Sequence, residues 1–342
     1  MPELDRSLLQ GFSFACRPDC GLCCYASPVV TATEKARLIQ LEPSLDWTEP
    51  RRAIPSRAGG GGCQYLRSNR CRVHEARPFP CAEFPIAVHL GPRAQATLVL
   101  SCPGLSAMPP SSGGTKREGR APVGLEAELR AVEQELGRLP VAEWRRAEGT
   151  WRRAARTVDA SDPLLRTSRA AARRSNPGIS AEAARDPTIP TEADGLDRLP
   201  MFFDERFGRV AIAASGEQVD LLVLRENGGI DRRLATFPRA VQPPSLTADA
   251  ARRLAAYRDH LLERDAFVGA ALRASEGEGT EAFTDQLASD LDTALGATVA
   301  RGRLRSLLSG RTGGPLSERE LVEGIAATDA DYLDRPTVGR WL

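Results

Sequence analysis

Lysine is nearly absent from this chain of 342 residues: of its 46 basic residues only Lys35 and Lys116 are lysine. The arginines are spread along the sequence, so they read as a compositional bias rather than a basic arm. An excess of either charge is missing too, because 46 basic residues face 45 acidic ones and the net charge is +1. That balance argues against broad electrostatic capture of nucleic acid or of a membrane surface. No apolar run approaches the roughly 18 residues of a transmembrane helix. The first ten residues carry acids and no apolar stretch of the secretory kind, so the expected location is the cytoplasm, with reduced thiols. Histidine is scarce, being confined to His74, His89 and His260. The last absence is the most informative. After Cys102 there is no further cysteine to the end of the chain.

What is present is otherwise ordinary. Apolar residues make up 42% and charged residues 27%, as in soluble globular proteins, and the length suits two domains. The eight cysteines stand out: Cys16, Cys20, Cys23, Cys24, Cys63, Cys71, Cys81 and Cys102. Scattered core thiols would not gather in one end of a chain. A disulfide framework needs an oxidising compartment, and nothing in the sequence sends the chain to one. A thiolate metal site is the remaining account. Sets of four thiolates hold structural zinc or iron–sulfur clusters, so eight make two sets or one larger cluster.

The local spacing adds detail. Cys20-Gly-Leu-Cys23 lets both sulfurs meet one metal, and Gly21 tolerates the positive φ of a tight turn. Cys23 and Cys24 are adjacent. In extended backbone their side chains diverge, so the pair is placed to serve two sites or opposite faces of one cluster. The competing reading makes one of them a small buried hydrophobe. His74 and His89 lie within the cysteine region but are expected to be surface or hydrogen-bonded imidazoles, and His260 a structural residue on an Arg-rich helical surface. Asp19 and Glu83 are oxygen donors if the metal is iron, and solvated charges otherwise. Arg77 is a candidate for neutralising a thiolate cluster, against the alternative of a surface residue at a helix start.

Local patterns give the organisation. Thr31-Ala-Thr-Glu34 matches a capping box and predicts a helix to about Leu41, stopping before Pro43. Ser27 to Val30 reads as a short strand. Residues 50–62 read as a Gly-rich loop; no Lys-Ser/Thr pair follows to make them a phosphate cradle. Short segments at 64–66 and 71–74 flank a turn at Ser68-Asn69. Residues 77–85 form a prolyl loop or one helical turn, and 94–100 a strand that delivers Cys102. Helices follow over 124–139 and 141–158, separated by Pro140, with Leu125, Leu129, Val132, Leu136 and Leu139 at helical spacing. Residues 159–195 read as loop or disorder. A β-meander is expected over about 200–238, then helices at about 247–274, 280–308 and 317–327.

The fold class predicted is α+β. It comprises a cysteine-cluster metal-binding domain over 1–107, a linker over 108–123, and a mainly helical region over 124–342 that contains the meander. Nothing after the cysteine region carries a catalytic signature. The C-terminal helices would be scaffold or a surface for a protein partner.

Two stretches carry a family resemblance. One is Cys20-Gly21-Leu22-Cys23-Cys24. The other is Cys71-Arg-Val-His74-Glu-Ala-Arg77-Pro78-Phe-Pro-Cys81-Ala-Glu-Phe84, with Cys63 before it and Cys102 closing the set. They resemble the YkgJ family of cysteine-cluster proteins, described as zinc- or iron-chelating. The resemblance covers roughly residues 12–105 and implies metal binding by all eight cysteines. It leaves zinc, iron and an iron–sulfur cluster open, with adjacent cysteines inclining the reading to iron. Cys16 departs from the pattern, since three residues separate it from Cys20 where the family has two. That departure creates the spacing of the radical S-adenosylmethionine motif, but no alternating strand–helix barrel pattern follows it. The flagellin lysine N-methylase family is also similar in joining a cysteine cluster to a longer C-terminal region. These two keep an iron–sulfur oxidoreductase or a cluster-dependent protein-modifying enzyme as the alternative.

Overall fold

The computed structural model describes residues 4–9, 12–17, 20–25, 30, 32–43, 47, 54–57, 61–68, 70–82, 84–90, 94–107, 125–138, 145, 149, 162–174, 199–204, 206–225, 229–238, 245–311 and 313–329. The expected strand at 27–30, the linker and the helix at 141–158 lie outside these residues, wholly or in large part.

The class is α+β, as the sequence predicts. The cysteine-bearing part is assembled from short pieces. Strands β1 (Leu4–Asp5) and β2 (Phe12–Phe14) lead to helix α1 (Ala32–Leu41). Two small hairpins follow: β3 (Ser56–Arg57) with β4 (Gly61–Cys63), and β5 (Leu66–Arg67) with β6 (Arg70–Cys71). The second turns at Ser68, whose φ is +45°. The prolyl segment contains one helical turn, α2 (Phe79–Ala82), before β7 (Ile86–Leu90), β8 (Ala94–Leu98) and β9 (Leu105–Ala107). The sheet order is β1-β8-β7, and β9 pairs antiparallel with β2.

Strand alternation makes β8 a hinge between two packing faces. Ala94, Ala96 and Leu98 join Ile86, Val88 and Leu9 beneath Leu125, Leu129, Val132 and Leu136, the stripe carried into helix α3 (Glu126–Arg138). The opposite face presents Gln95 and Thr97 to the C-terminal helices. There the Gln95 amide donates to the Glu263 carbonyl (2.9 Å) and accepts from the Asp265 N–H (2.7 Å).

Residues 159–195 are not loop throughout. Helix α4 (Asp162–Arg174) occupies part of them, with Leu165 and Ala172 packed into the helical core and Ser168 hydrogen-bonded to Thr284. The scarcity of large apolar residues hid it, although Pro163 suits a first helical turn.

The meander is an antiparallel sheet in simple order: β10 (Met201–Asp204), β11 (Gly208–Ser215), β12 (Gln218–Leu224) and β13 (Ile230–Pro238). It has two buried faces. Val210, Ile212, Ala214, Val219 and Leu221 pack on Leu304, Leu308 and Ala327 of the helices. Ala211, Ala213, Leu222 and Leu224 pack on Leu66 and Cys24 of the cysteine region. A register shift opposite Leu221 and Leu222 leaves Leu234 of β13 as an extra, bulged residue.

Four helices follow among the described residues: α5 (Ala248–Glu263), α6 (Asp265–Ala274), α7 (Thr280–Leu308) and α8 (Glu318–Thr328). The single helix expected over 247–274 is broken at Arg264, which takes an extended conformation. The break delivers its guanidinium to the interior. The fully buried Arg264 pairs with the equally buried Asp329 through Nη1–Oδ1 (2.6 Å) and Nη2–Oδ2 (3.1 Å). It also donates to the Thr97 hydroxyl (3.0 Å) and the Leu98 carbonyl (2.9 Å), while the Leu100 N–H donates to Asp329 (2.7 Å). One ion pair thus ties the sheet that precedes Cys102 to two C-terminal helices. Helices α7 and α8 cross closely, since a Cβ on Gly324 would stand 2.2 Å from the Thr298 carbonyl oxygen.

Candidate metal centre

All eight cysteines are free thiols. Each is brought in by a different short device. Cys16 follows β2, whose pairing with β9 sets it beside the turn of Cys102: Phe14 faces Leu105, and the Ala15 N–H donates to the Gly104 carbonyl (2.9 Å). Cys20 ends a tight turn in which its N–H reaches the Arg17 carbonyl (3.1 Å). Gly21 takes φ +57°, the left-handed conformation that its position in the motif requires. Cys63 closes β4, Cys71 closes β6, and Cys81 sits in α2.

Four of these turns repeat one hydrogen-bond pattern. The sulfur of a cysteine accepts the backbone N–H two residues on: Leu22 to Cys20 (3.4 Å), Tyr65 to Cys63 (3.4 Å), and likewise Val73 to Cys71 and Gly104 to Cys102. An N–H aimed at sulfur favours the thiolate, the form that binds metal. In the protein without a cation, burial outweighs this help. It pushes Cys20 up to about 11 and Cys63 and Cys102 to about 12, and raises Cys71 and Cys81 as well.

Mutual repulsion between the thiolate forms shows which sulfurs are neighbours. Cys20 and Cys102 each feel Cys16 and Cys23, and Cys102 also feels Cys20. Cys81 feels Cys63, Cys71 and Cys23, while Cys24 feels Cys23, Cys63 and Cys71. Packing agrees with the second grouping, since Cys24, Cys71 and Cys81 lie against the cluster of Cys63, Val73, Tyr65, Leu38, Val30 and Ile54. These interactions sort the eight thiols into two electrostatic groups, here called lobes. Cys16, Cys20 and Cys102 make one, and Cys24, Cys63, Cys71 and Cys81 the other. Cys23 couples to both.

The adjacent pair differs from the sequence expectation. Cys23 and Cys24 lie in a 3-10 turn, Leu22–Tyr25, rather than in extended backbone, so their side chains do not diverge to opposite sides. The Cys24 thiol donates to the Cys23 sulfur, which lowers the pKa of Cys23 and raises that of Cys24. Cys23 and Cys16 are the exposed residues of the set.

Arg77 lies beside the second lobe. Its Nε donates to the His74 carbonyl (3.0 Å), and its charge favours the thiolates of Cys23, Cys71 and Cys81. His74 is exposed and faces Glu75 (3.4 Å). His89 is not on the surface. Strand β7 buries it close to Asp265 and Arg273, and desolvation lowers its pKa to about 4. His260 is part-buried on α5 rather than on an open surface, and its pKa is likewise lowered by burial. Asp19 and Glu83 fall outside the described residues.

One residue of this centre was not legible as such. Arg209 of β11 is buried, and its Nη1 donates to the Cys20 carbonyl (3.3 Å). It shares a strand face with Ala211 and Ala213, so alternation in Arg-Val-Ala-Ile-Ala was the available signal. The contact spans 189 positions of sequence, which no local pattern reveals.

Among the described residues, no three His, Cys, Asp or Glu side chains are already set at metal-holding geometry. By donor chemistry the arrangement fits a metal that prefers sulfur: thiols from separate turns converge, backbone N–H groups point at four of them, and cationic groups lie alongside.

The model of a family described as "CxxCxxCC: Putative zinc- or iron-chelating domain" matches residues 15–103. That stretch holds all eight cysteines and Arg77. No curated protein and no solved structure matches the chain. Among the described residues no helix is long and apolar enough to cross a membrane.

Proposed function

We propose that this protein binds iron or zinc through the thiolates of Cys16, Cys20, Cys23, Cys24, Cys63, Cys71, Cys81 and Cys102, with Arg77 offsetting part of their negative charge. The observation that carries the reading is that cysteines from turns spread over residues 16–102 act on one another's thiolate charge, with Cys23 acting on members of both groups. The matched chelating-domain family supports it, and so does the YkgJ-type order of the motifs. A cation at the centre would reverse the effect of burial on the thiols, because it stabilises thiolate directly. We favour iron, as a polynuclear or iron–sulfur centre, since two lobes meeting at one residue suit several metal atoms better than one isolated tetrahedral ion. A reducing compartment such as the cytoplasm would keep the thiols available for it.

Iron held there would supply reversible electron transfer, whereas zinc would supply a redox-inert cross-link. Exposure of Cys16 and Cys23 favours a second reading, an iron–sulfur oxidoreductase or cluster-dependent protein-modifying enzyme, because an exposed residue is within reach of a partner or substrate. Purification without oxygen, followed by metal analysis and an absorption spectrum, tests both. Iron–sulfur protein is brown and absorbs near roughly 400 nm, while zinc protein is colourless. Absence of both metals at stoichiometric level overturns the proposal. Bound zinc, or iron without a reversible redox change, overturns the enzyme reading alone.

A further inference from the structure

The cysteine lobe of Cys16, Cys20 and Cys102 is held from outside the matched family stretch. Arg209 lies in β11, more than a hundred residues after Cys102, and is 3% exposed. Its Nη2 donates to the Arg225 carbonyl (2.6 Å), which anchors the guanidinium in the sheet. Its Nη1 donates to the Cys20 carbonyl (3.3 Å), which carries that anchor to the metal-site loop. A second contact grips the same loop, because the Arg17 guanidinium stacks over the Phe203 ring of β10 (4.8 Å). Arg17 and Cys20 are thus each held by one of two neighbouring strands of the meander.

Burying a guanidinium is costly unless charge or hydrogen bonds compensate it. Backbone carbonyls supply part of that compensation. The hydrogen bond to the Cys20 carbonyl therefore does double duty, satisfying the arginine and fixing the loop that carries Cys20. The fork of the guanidinium also spans two carbonyls, a geometry the single ammonium of lysine does not reproduce.

We infer that Arg209 is a positioning residue for the Cys20 lobe, so that the meander completes a centre the first 107 residues do not build alone. The inference rests on the metal-binding reading above. Like other outer partners of metal ligands, Arg209 acts by orienting a ligand loop.

The test is Co(II) titration of the full chain, followed through thiolate-to-cobalt charge transfer, for wild type, Arg209→Met, Arg209→Lys, Cys20→Ser and the double variant. Arg209→Met should weaken Co(II) binding about 10–100-fold, as loss of such partners does, and change the charge-transfer band. Arg209→Lys should recover only part of the affinity. In the Cys20→Ser background Arg209→Met should have little further effect, an outcome a merely structural role does not produce. If Arg209→Met fails to fold by circular dichroism, the Lys variant and the Cys20→Ser comparison decide. A wild type that binds Co(II) through sulfur while both Arg209 variants titrate identically to it overturns this inference alone. A wild type without thiolate-to-cobalt bands overturns the metal-binding reading, and this inference with it.

Discussion

Cys23 is the residue on which the account turns, because it couples to both lobes. The sequence marks it only as one of an adjacent pair, and the inference drawn from adjacency depends on backbone conformation. Extended backbone would have sent the pair apart, whereas the 3-10 turn puts Cys24 in hydrogen-bonding contact with Cys23. Cys23→Ser should lower metal affinity at least about 100-fold, the upper end of the loss from a mere supporting partner. Cys16→Ser, at an exposed position with irregular spacing, should cost less. Equal effects in a chelator competition assay would remove Cys23 from its central place. His89 gives a pH prediction independent of metal. Its folded pKa of about 4 lies below the 6.5 of free histidine, so the fold favours the neutral ring. The stabilisation is complete above pH 6.5, falls as pH drops toward 4, and amounts to about 3 kcal/mol at most. Urea unfolding between pH 7 and 4.5 should show this loss, and His89→Leu should flatten it. An unchanged slope would mean that His89 titrates as if exposed.

Elements were legible where one physical signal dominated. The helix at Ala32–Leu41 follows from a start signal and a proline stop, and the meander from runs of β-formers between glycine turns. The helix at Asp162–Arg174 was missed because its buried face uses Ser168 and Ala172, which make no apolar stripe. The break at Arg264 was missed for a different reason. Leu261, Leu262, Phe267 and Val268 continue the apolar spacing across it, and only the tertiary partner Asp329 makes an extended arginine favourable there. That pair yields the prediction at this scale. Asp329→Ala leaves a guanidinium buried without its counter-charge and should destabilise the protein by about 3–5 kcal/mol. Denaturant unfolding that shifts by less than about 1 kcal/mol would show that Arg264 finds other compensation.

For the molecule as a whole, the sequence separates a cysteine region from a helical one, and its motifs mark the eight cysteines that fall within the matched stretch. It does not show how the parts join, since joining is long-range: Arg209 to Cys20, Arg264 to Leu98, and Leu66 beneath the meander. The meander has helices on one face and the cysteine region on the other, so metal loss should be felt beyond the cysteine loops. A chelator that removes the metal should lower the melting temperature, most strongly for the transition that includes the cysteine region. A melting curve unchanged after confirmed metal loss would contradict that coupling. The central claim is that the converging thiols hold the metal, and X-ray absorption at the metal edge of anaerobically purified full-length protein addresses it most directly. The account predicts a first shell of sulfur at about 2.3 Å, weakened in Cys23→Ser. A first shell of oxygen and nitrogen only, or one identical in wild type and Cys23→Ser, would contradict it.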